Sequence, residues 1–301
     1  MLLDRLLENI GLEVEPFAIC RVRRGWRLDM AKAGEVHLHF VVDGRGILRA
    51  PSAFKASLER FTLVLVPPGI RHRIEPEGHV EHEIGTMEAT CRSLPTGLDE
   101  FNAGGGKAGL VITCGRLTTT YGGVIGLFDH LNAPLVENFE EVSEVRQLFD
   151  WLLIEQASSR PGARRMTQAL MAQCLIHLFR RLCSQEECAL PWLAALEHPG
   201  YALVVDAILS DPGAPHTLDS LAVLAGMSRS VFSERFHTAF GRSAVDLLRE
   251  TRLRRAARLL HTTDLPVKAI ASKVGFSSRS HFSRAFKELF EQDPKRFRAT
   301  E

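Results

Sequence analysis

The chain contains 301 residues, of which 45% are hydrophobic, and this is enough to form two compact domains. Its net charge of +1 conceals a split, because residues 200–301 contain 16 Lys and Arg against 11 Asp and Glu, a local +5 that suits a polyanionic partner. The sequence has no signal peptide and no apolar run of the roughly 18 residues that a membrane helix needs, so we expect a cytoplasmic protein without a membrane partner. It also has no CxxC pair, so we expect no structural zinc site.

The first 138 residues are predicted to form one domain, rich in β-strands from about Phe17 to Thr120. Short apolar runs alternate there with Gly and Pro, as in EVHLHFVVDGRGILRA, RFTLVLVPPGIRH and AGLVITCGRL. His37 and His39 fall on one face of a predicted strand, because side chains alternate along it, and His72 closes the second run.

From about Phe139 the hydrophobic spacing changes from that of strands to that of helices. Two helices are predicted from the apolar sets Val145, Leu148, Phe149, Leu152, Leu153 and Leu170, Cys174, His177, Leu178, Leu182. We expect this helix pair, over residues 139–190, to form a dimer surface or, alternatively, to cover the core of the first domain. Residues 191–200 are predicted to be an interdomain linker.

Residues 201–301 contain one pattern twice. Leu218–Phe240 and Val267–Phe290 align with an offset of 49 residues up to Gly226 and Gly275, and of 50 residues after them. Each copy has a short apolar helix, a glycine turn and a second helix that opens with serine, which is typical of a helix-turn-helix. Two such units can present two helices to successive major grooves, roughly 34 Å apart.

The second helix of each copy is predicted to bury phenylalanines and to expose a polar face. The candidates for DNA contact are Arg229, Ser230, Ser233 and Glu234 in the first copy and Arg279, Ser280, Ser283, Arg284 and Lys287 in the second. Arginine suits bidentate contact with guanine, and a glutamate can accept a hydrogen bond from cytosine. Simple solvation also explains a charged helix face, but the duplication and the arginine-rich helix between the copies favour DNA binding.

Residues from about 202 to 298 resemble the DNA-binding domain of the AraC/XylS family of bacterial transcription regulators. The resemblance is carried by LAGMSRS, RLRRAARLL, IASKVGFSSRSHFSRAFK and a closing PxxFR. It implies seven helices, two helix-turn-helix units, double-stranded promoter DNA as ligand and RNA polymerase as partner. Glu291 stands where the family usually has glycine, so we expect the turn after Phe290 to differ from the turn at Gly241.

Residues from about 1 to 190 resemble the cupin-like sensor domain of one branch of that family, through DRLLENIGLE, HFVVDGRGIL, LVLVPPGIRH and ITCGRL. The resemblance implies a small β-barrel whose interior holds one metal or ligand. His37, His39 and His72 stand at the positions that cupin enzymes use for metal ligands, with Asp43 as an imperfect fourth ligand. A metal-free effector pocket lined by the same residues is the favoured alternative.

Two further effector hypotheses concern the same domain. Cys20 and Cys114 match by position the cysteine pair of oxidant-responsive members of the branch, and a neighbouring arginine such as Arg116 would lower the pKa of a thiol. Arg23 and Arg27 have the RxxxR spacing that resembles the first motif of cyclic-dinucleotide-binding PilZ domains, although the companion motif is absent.

The sequence therefore predicts an α+β protein of two domains, with an N-terminal cupin-like barrel, dimerisation helices and a C-terminal all-α domain of two helix-turn-helix units. We expect a homodimeric, sequence-specific transcription activator that is controlled by a small-molecule effector and has no fixed cofactor. Redox sensing is the first alternative. The rival class is a metal-dependent cupin enzyme with an attached DNA-binding domain.

Overall fold

The computed structural model describes residues 10–15, 17–86, 88–94, 98–129, 131–157, 160–183, 190–196 and 198–299. The chain forms two compact units. Among the described residues, the N-terminal unit comprises those from 11 to 119 and from 126 to 183, and the C-terminal unit comprises those from 120 to 125 and from 190 to 299, together with Ile10. None of the described helices is long and apolar enough to cross a bilayer.

Two β-sheets make up most of the N-terminal unit. The larger sheet contains nine described strands: β1 (Ile10–Val14), β2 (Ala18–Arg23), β4 (Val36–Gly44), β7 (Thr62–Val66), β10 (Thr90–Ser93), β11 (Asp99–Ala103), β12 (Ala108–Tyr121), β13 (Ile125–Gly126) and β14 (Leu135–Asn138). The smaller sheet contains five: β3 (Trp26–Met30), β5 (Gly46–Ala50), β6 (Phe54–Leu58), β8 (His72–Pro76) and β9 (His82–Gly85). The prediction of a β-rich first domain is confirmed.

Strand pairing in the larger sheet brings three distant parts of the sequence together. The order is β10-β11-β2-β12-β4-β7-β14, so β12 lies between β2 and β4. On one side Ile112 is opposite Cys20, and on the other Cys114 is opposite His39. The candidate thiols and one candidate histidine are therefore neighbours on one sheet.

The two sheets share one apolar core. Its buried members come from both sheets: Cys20, Val22, Val41, Val64, Val66, Leu110, Ile112 and Cys114 from the larger, and Leu28, Met30, Leu48, Leu58 and Ile74 from the smaller. The two sheets therefore pack face to face, and the side chains that alternate inward along β4 point into this core.

Two long helices follow the sheets, as the change of spacing predicts: α1 (Ser143–Gln156) and α2 (Ala163–Cys183). They pack against each other, and the ring of Phe149 on α1 stacks on Phe40 of β4 with centroids 3.8 Å apart. Because Phe40 and His39 are adjacent on one strand, α1 covers the face of β4 opposite to the face that carries His39.

The C-terminal unit is helical: α3 (Pro191–Ala195), α4 (Pro199–Ser210), α5 (Leu218–Leu224), α6 (Arg229–Phe240), α7 (Ala244–Thr262), α8 (Val267–Lys273), α9 (Arg279–Phe290) and α10 (Pro294–Arg298). Seven of these helices lie between Pro199 and Arg298, which is the number that the family resemblance implies. The prediction of a linker at residues 191–200 is wrong for most of that segment, because α3 packs on α6 and Trp192 is only 1% exposed. Proline at the first position starts both α3 and α4 rather than interrupting a helix.

The predicted difference in the turn after Phe290 is also absent. Gly241 ends α6 with φ 64° and ψ 6°, and Glu291 ends α9 with φ 59° and ψ 1°. Glutamate therefore adopts the left-handed conformation that glycine adopts in the first copy, at a steric cost of about 1–2 kcal/mol relative to glycine.

Candidate functional site

The helix pairs α5–α6 and α8–α9 share one local construction. Gly226 follows α5 and Gly275 follows α8, with φ of 69° and 85°, a conformation that glycine adopts without a Cβ clash. The second helix of each pair then begins after a serine, Ser228 or Ser278. The same turn therefore sets the direction of α6 and of α9.

Each second helix buries one face and leaves the other in solvent. Phe232, Phe236 and Phe240 of α6 are fully buried, as are Phe282 and Phe286 of α9. Aromatic residues four positions apart lie on one side of a helix, so the opposite side of both helices is free to meet a ligand.

The structure places the nine predicted DNA-contact residues on these free faces or at their edges. Ser233 and Ser283 are half-buried, and the other seven are exposed: Arg229, Ser230 and Glu234 on α6, and Arg279, Ser280, Arg284 and Lys287 on α9.

The charged members of the two faces differ in their partners. The guanidinium of Arg229 lies 3.3 Å from the carboxylate of Asp219 on α5. Within residues 198–299, the structure gives Arg279, Arg284 and Lys287 no carboxylate partner. The second face is therefore the more available to phosphate or to bases.

Two exposed side chains on these faces were not predicted. Val231 of α6 is 38% exposed, and His281 of α9 is exposed at the equivalent position. Each comes directly before a buried phenylalanine and therefore lies about 100° away from it around the helix. That angle is the sequence signal that could have found both side chains.

The arginines of the connecting helix α7 serve mainly within the unit. Arg249 pairs with Glu288, and Arg254 donates to Glu250 at 2.7 Å. Arg255 and Arg258 remain exposed, and within residues 198–299 the structure gives their guanidinium groups no carboxylate partner. The positive charge available to DNA is therefore smaller than the arginine content of this helix suggests.

The N-terminal unit contains a cavity of about 560 Å³, within the usual range for a small-molecule site. Its lining includes three large apolar side chains, two thiols and one imidazole: Phe17, Met30, Phe101, Cys20, Cys114 and His37. Four charged side chains also line it: Glu15, Lys32, Asp99 and Arg116. Of the predicted effector residues, only His37 lines the cavity directly.

A chain of hydrogen bonds joins this lining to the interior. Cys114 Sγ is 3.3 Å from His39 Nδ1, His39 Nε2 is 2.8 Å from His72 Nε2, and His72 Nδ1 is 3.5 Å from the Ile70 carbonyl. Burial lowers the pKa of His39 well below its usual value and that of His72 to about 3, so both rings are neutral. With one proton on each ring, the partners indicate that Cys114 donates to His39, His39 to His72, and His72 to Ile70.

The three histidines also offer one ring nitrogen each within 4.8 Å of one another, a set that transition metals accept. However, the hydrogen bonds already satisfy both nitrogens of His39 and of His72. Asp43, the predicted fourth ligand, is exposed and does not belong to this group. His37 Nδ1 is buried without a hydrogen-bond partner. The donor set therefore suits a hydrogen-bonded core better than it suits a metal.

The structure brings the two predicted redox cysteines together. Cys20 and Cys114 are 3% and 8% exposed, and their thiols are within hydrogen-bonding reach. The expectation of a lowered thiol pKa is wrong for Cys114, because burial and the neighbouring thiol raise its pKa well above the usual value. Arg116, expected to activate a thiol, pairs with Glu15 at 2.7 Å instead.

Arg23 and Arg27, predicted to bind an anionic effector together, are separated by the structure. A turn at Gly25 places Arg23 at the end of β2 and Arg27 on β3, in different sheets. Arg23 donates to Asn102 at 2.9 Å, and Arg27 pairs with the buried carboxylate of Glu75. Neither lines the cavity, and each is engaged by another side chain, which argues against a shared phosphate site.

Comparison with known proteins assigns both units to described families. A family model described as a cupin matches residues 2–184, more than half of the chain, and a helix-turn-helix domain model matches residues 221–300. The HTH-type transcriptional regulator AlkR of Acinetobacter baylyi is 25% identical over 98% of both chains. The RCS-specific HTH-type transcriptional activator RclR of Escherichia coli is 27% identical over 93% of this chain and 90% of its own. The HTH-type transcriptional regulator GlxA of Rhizobium meliloti is 39% identical over 32% of this chain and 30% of its own.

Proposed function

The chain belongs to the AraC/XylS family of DNA-binding transcription regulators with an N-terminal cupin domain, and we propose that its two helix pairs are two helix-turn-helix units that read one promoter site. The observation that carries this proposal is that α6 and α9 have the same construction. Each buries phenylalanines on one face and exposes polar side chains to solvent on the other. Two such helices on one compact unit can enter two successive major grooves.

The exposed side chains suit base and phosphate contacts. Arg284 can donate two hydrogen bonds to guanine, and Glu234 can accept one from cytosine. Lys287 and Arg279 carry charge that phosphates attract, so affinity for DNA falls as salt rises. Ser230 and Ser280 stand at the start of their helices, where either can bond a base edge or a phosphate.

The N-terminal cavity is the proposed effector site. Apolar walls from Phe17, Met30 and Phe101, with the imidazole of His37 beside them, suit a small, largely apolar molecule with one polar group. If the molecule binds one arrangement of the two units more tightly than another, it increases the population of that arrangement. DNA binding then changes because the arrangements differ in their affinity for DNA.

The helix pair α1–α2 is the proposed dimer surface. Trp151, Ile154 and Met166 are each about half exposed on these two helices, although large apolar side chains are usually buried. A second copy of the chain would cover them. Activation by recruitment of RNA polymerase is the proposed outcome, supported by the description of RclR as an activator.

A second candidate signal is oxidation of the cavity thiols. Cys20 and Cys114 are adjacent, and a two-electron oxidant would join them as a disulfide while both thiol protons are released. The change would also remove the hydrogen bond that Cys114 donates to His39. The raised pKa of Cys114 slows this reaction, so the apolar effector is the first proposal.

Mobility-shift titration of the full-length protein onto its own upstream DNA tests these proposals. The titration is run with reductant, with a hypochlorite-type oxidant and with a panel of small molecules that includes cyclic di-GMP. A response to oxidant that is lost in Cys114→Ala but kept in Cys91→Ala, an exposed thiol, would establish the redox signal. A response to one compound that is lost when Ala18→Leu narrows the cavity would establish the effector site.

The rival enzyme class is tested on the same preparation. Elemental analysis that finds no stoichiometric metal in a folded protein that binds DNA would remove the metal-dependent cupin enzyme. A tightly bound metal that is lost in His39→Ala would favour it, and would contradict the metal-free reading of the histidine group.

A further inference from the structure

Arg252 of α7 occupies an unusual position between the two helix pairs. Its Nε donates to the Pro212 carbonyl at 2.7 Å, and its Nη2 donates to the Ala214 carbonyl at 2.9 Å. Both carbonyls belong to the loop that joins α4 to α5, the first helix of the first pair. The side chain therefore ties the connecting helix to the segment that leads into the first pair.

The same guanidinium also touches the second pair. A Cβ placed on Gly275, in the turn between α8 and α9, would lie 2.9 Å from three atoms of the Arg252 side chain, Cζ, Nε and Nη2. A Cβ on Gly213 would lie 2.5 Å from the Lys273 carbonyl at the end of α8. The loop of the first pair and the turn of the second therefore meet at close range, with Arg252 between them.

Stability alone explains this arrangement poorly. Arg252 is half-buried, and within residues 198–299 the structure gives it no carboxylate partner. Burial lowers its pKa, which means that the charged form is destabilised where it lies. A methionine would fill similar space without the cost of removing a charge from water. The two directed hydrogen bonds fix a geometry that an apolar side chain would leave free.

We propose that Arg252 is a positioning residue that fixes the separation and rotation of α6 relative to α9, and thereby the spacing of the two DNA segments that the protein reads. This inference rests on the proposed reading of DNA by both helices. One added base pair moves a DNA segment by roughly 3.4 Å and rotates it by roughly 34°. If Arg252 holds the two helix pairs rigidly, the protein discriminates strongly against such a change in spacing. If the contact of Arg252 is lost, the protein tolerates the change.

The test measures binding of the full-length protein to DNA duplexes of altered spacing. A site is first selected from a randomised library by the wild-type protein, and one base pair is then added or removed between its two segments. We expect the wild type to lose about tenfold or more in affinity on either change. Arg252→Met should bind the original site about tenfold more weakly and should discriminate among the three spacings by less than about threefold, with Arg252→Lys in between.

A glycine pair provides an independent variant and its matched control. Gly275→Ala forces a methyl group onto the guanidinium, whereas Gly226→Ala meets no atom within 4 Å, although both introduce a side chain at a left-handed position. We expect Gly275→Ala to weaken spacing discrimination and Gly226→Ala to preserve it, although both variants lose thermal stability.

The outcomes separate this proposal from the one it rests on. If Arg252→Met and Gly275→Ala lower the melting temperature but keep the wild-type spacing profile, Arg252 is only a structural anchor and the proposal is overturned. If the wild-type protein selects no sequence, the reading of DNA by two helices fails first. If Arg252→Met does not fold, Arg252→Lys and the glycine pair still give the spacing profile.

Discussion

The two helix pairs of the C-terminal unit have nearly the same backbone but different chemistry. α5 and α8 each span seven residues, and α6 and α9 each span twelve. A left-handed glycine follows the first helix of each pair, and a left-handed residue follows the second. Because turn and core residues are repeated, α6 and α9 are supported in the same way.

The exposed faces are where the copies diverge. Glu234 of α6 occupies the position that Arg284 occupies in α9, and His237 occupies the position of Lys287. The first face also has its Arg229 paired with Asp219, whereas Arg279 has no such partner within residues 198–299. The first face is therefore close to neutral or acidic, and the second is basic.

This difference indicates a division of labour between the pairs. Phosphate attraction supplies much of the affinity for DNA, so the basic face of α9 should dominate binding. A carboxylate in the major groove is repelled by phosphates and is tolerated where it finds a cytosine amino group, so Glu234 should contribute selectivity more than affinity. Exchanging or removing these side chains tests the division directly.

The largest effect is expected from Arg284→Ala. Loss of a bidentate contact to guanine typically costs about 1–3 kcal/mol, so specific binding should weaken by about 5- to 150-fold, with the base preference at one position relaxed. Competition titration against non-specific DNA measures both. The fold should be unchanged, because Arg284 is exposed. Unaltered specific binding would show that α9 does not read the site through this face.

A smaller change is expected from Glu234→Gln, which should raise non-specific affinity for DNA and lower base discrimination. Removing the charge relieves repulsion by phosphates, so non-specific affinity should rise by about two- to threefold while discrimination at one base pair falls by about tenfold. Selection of sites by the variant, followed by titration of single-base substitutions, measures the two effects separately. Equal losses of specific and non-specific binding would instead assign Glu234 a structural role.

Lys287→Ala should weaken binding about threefold and by a similar factor for all sequences. A phosphate contact contributes charge without reading a base, so the slope of log affinity against log salt should fall by about one. His237→Ala, at the equivalent position of α6, is the matched control and should change that slope less than Lys287→Ala does. Equal slopes for both variants would contradict the assignment of phosphate attraction to the second face.

The shared construction of the two pairs could be predicted from sequence because its determinants are local. The spacing of Phe232, Phe236 and Phe240 specifies a buried helix face regardless of what packs against it, and this spacing is repeated in the second copy. Glycine turns and serine starts mark the helix boundaries in the same local way. The nine side chains assigned to the free faces were therefore found without knowledge of the tertiary structure.

Tertiary pairing decided the features that sequence could not give. The adjacency of Cys20 and Cys114 follows from the register of β2 with β12, which no local pattern encodes. The arginine surplus of α7 suggested DNA contact, yet Arg249 is paired with an acid and Arg252 with two carbonyls of a distant loop. The RxxxR spacing likewise could not show that Arg27 meets Glu75 across the smaller sheet.

The smallest effect is expected at the turn where the copies differ by one residue. Glu291 holds the left-handed conformation that Gly241 holds in the first copy, so Glu291→Gly should raise the free energy of unfolding by about 0.5–1 kcal/mol. The gain is less than the full steric cost, because glycine also increases the freedom of the unfolded chain. Thermal melting of the helical circular dichroism signal measures it.

Two companion variants separate conformation from charge at this position. Glu291→Gln keeps the strained side chain but removes the carboxylate, so it should leave stability unchanged, and it tightens DNA binding only if Glu291 repels a nearby phosphate. Gly241→Ala places a Cβ in the first turn and should lower stability by about 1 kcal/mol. A different result would be that Glu291→Gly does not stabilise the protein while Gly241→Ala destabilises it. Contacts of the Glu291 side chain must then offset its backbone strain. The two turns would in that case differ in energy despite their shared geometry.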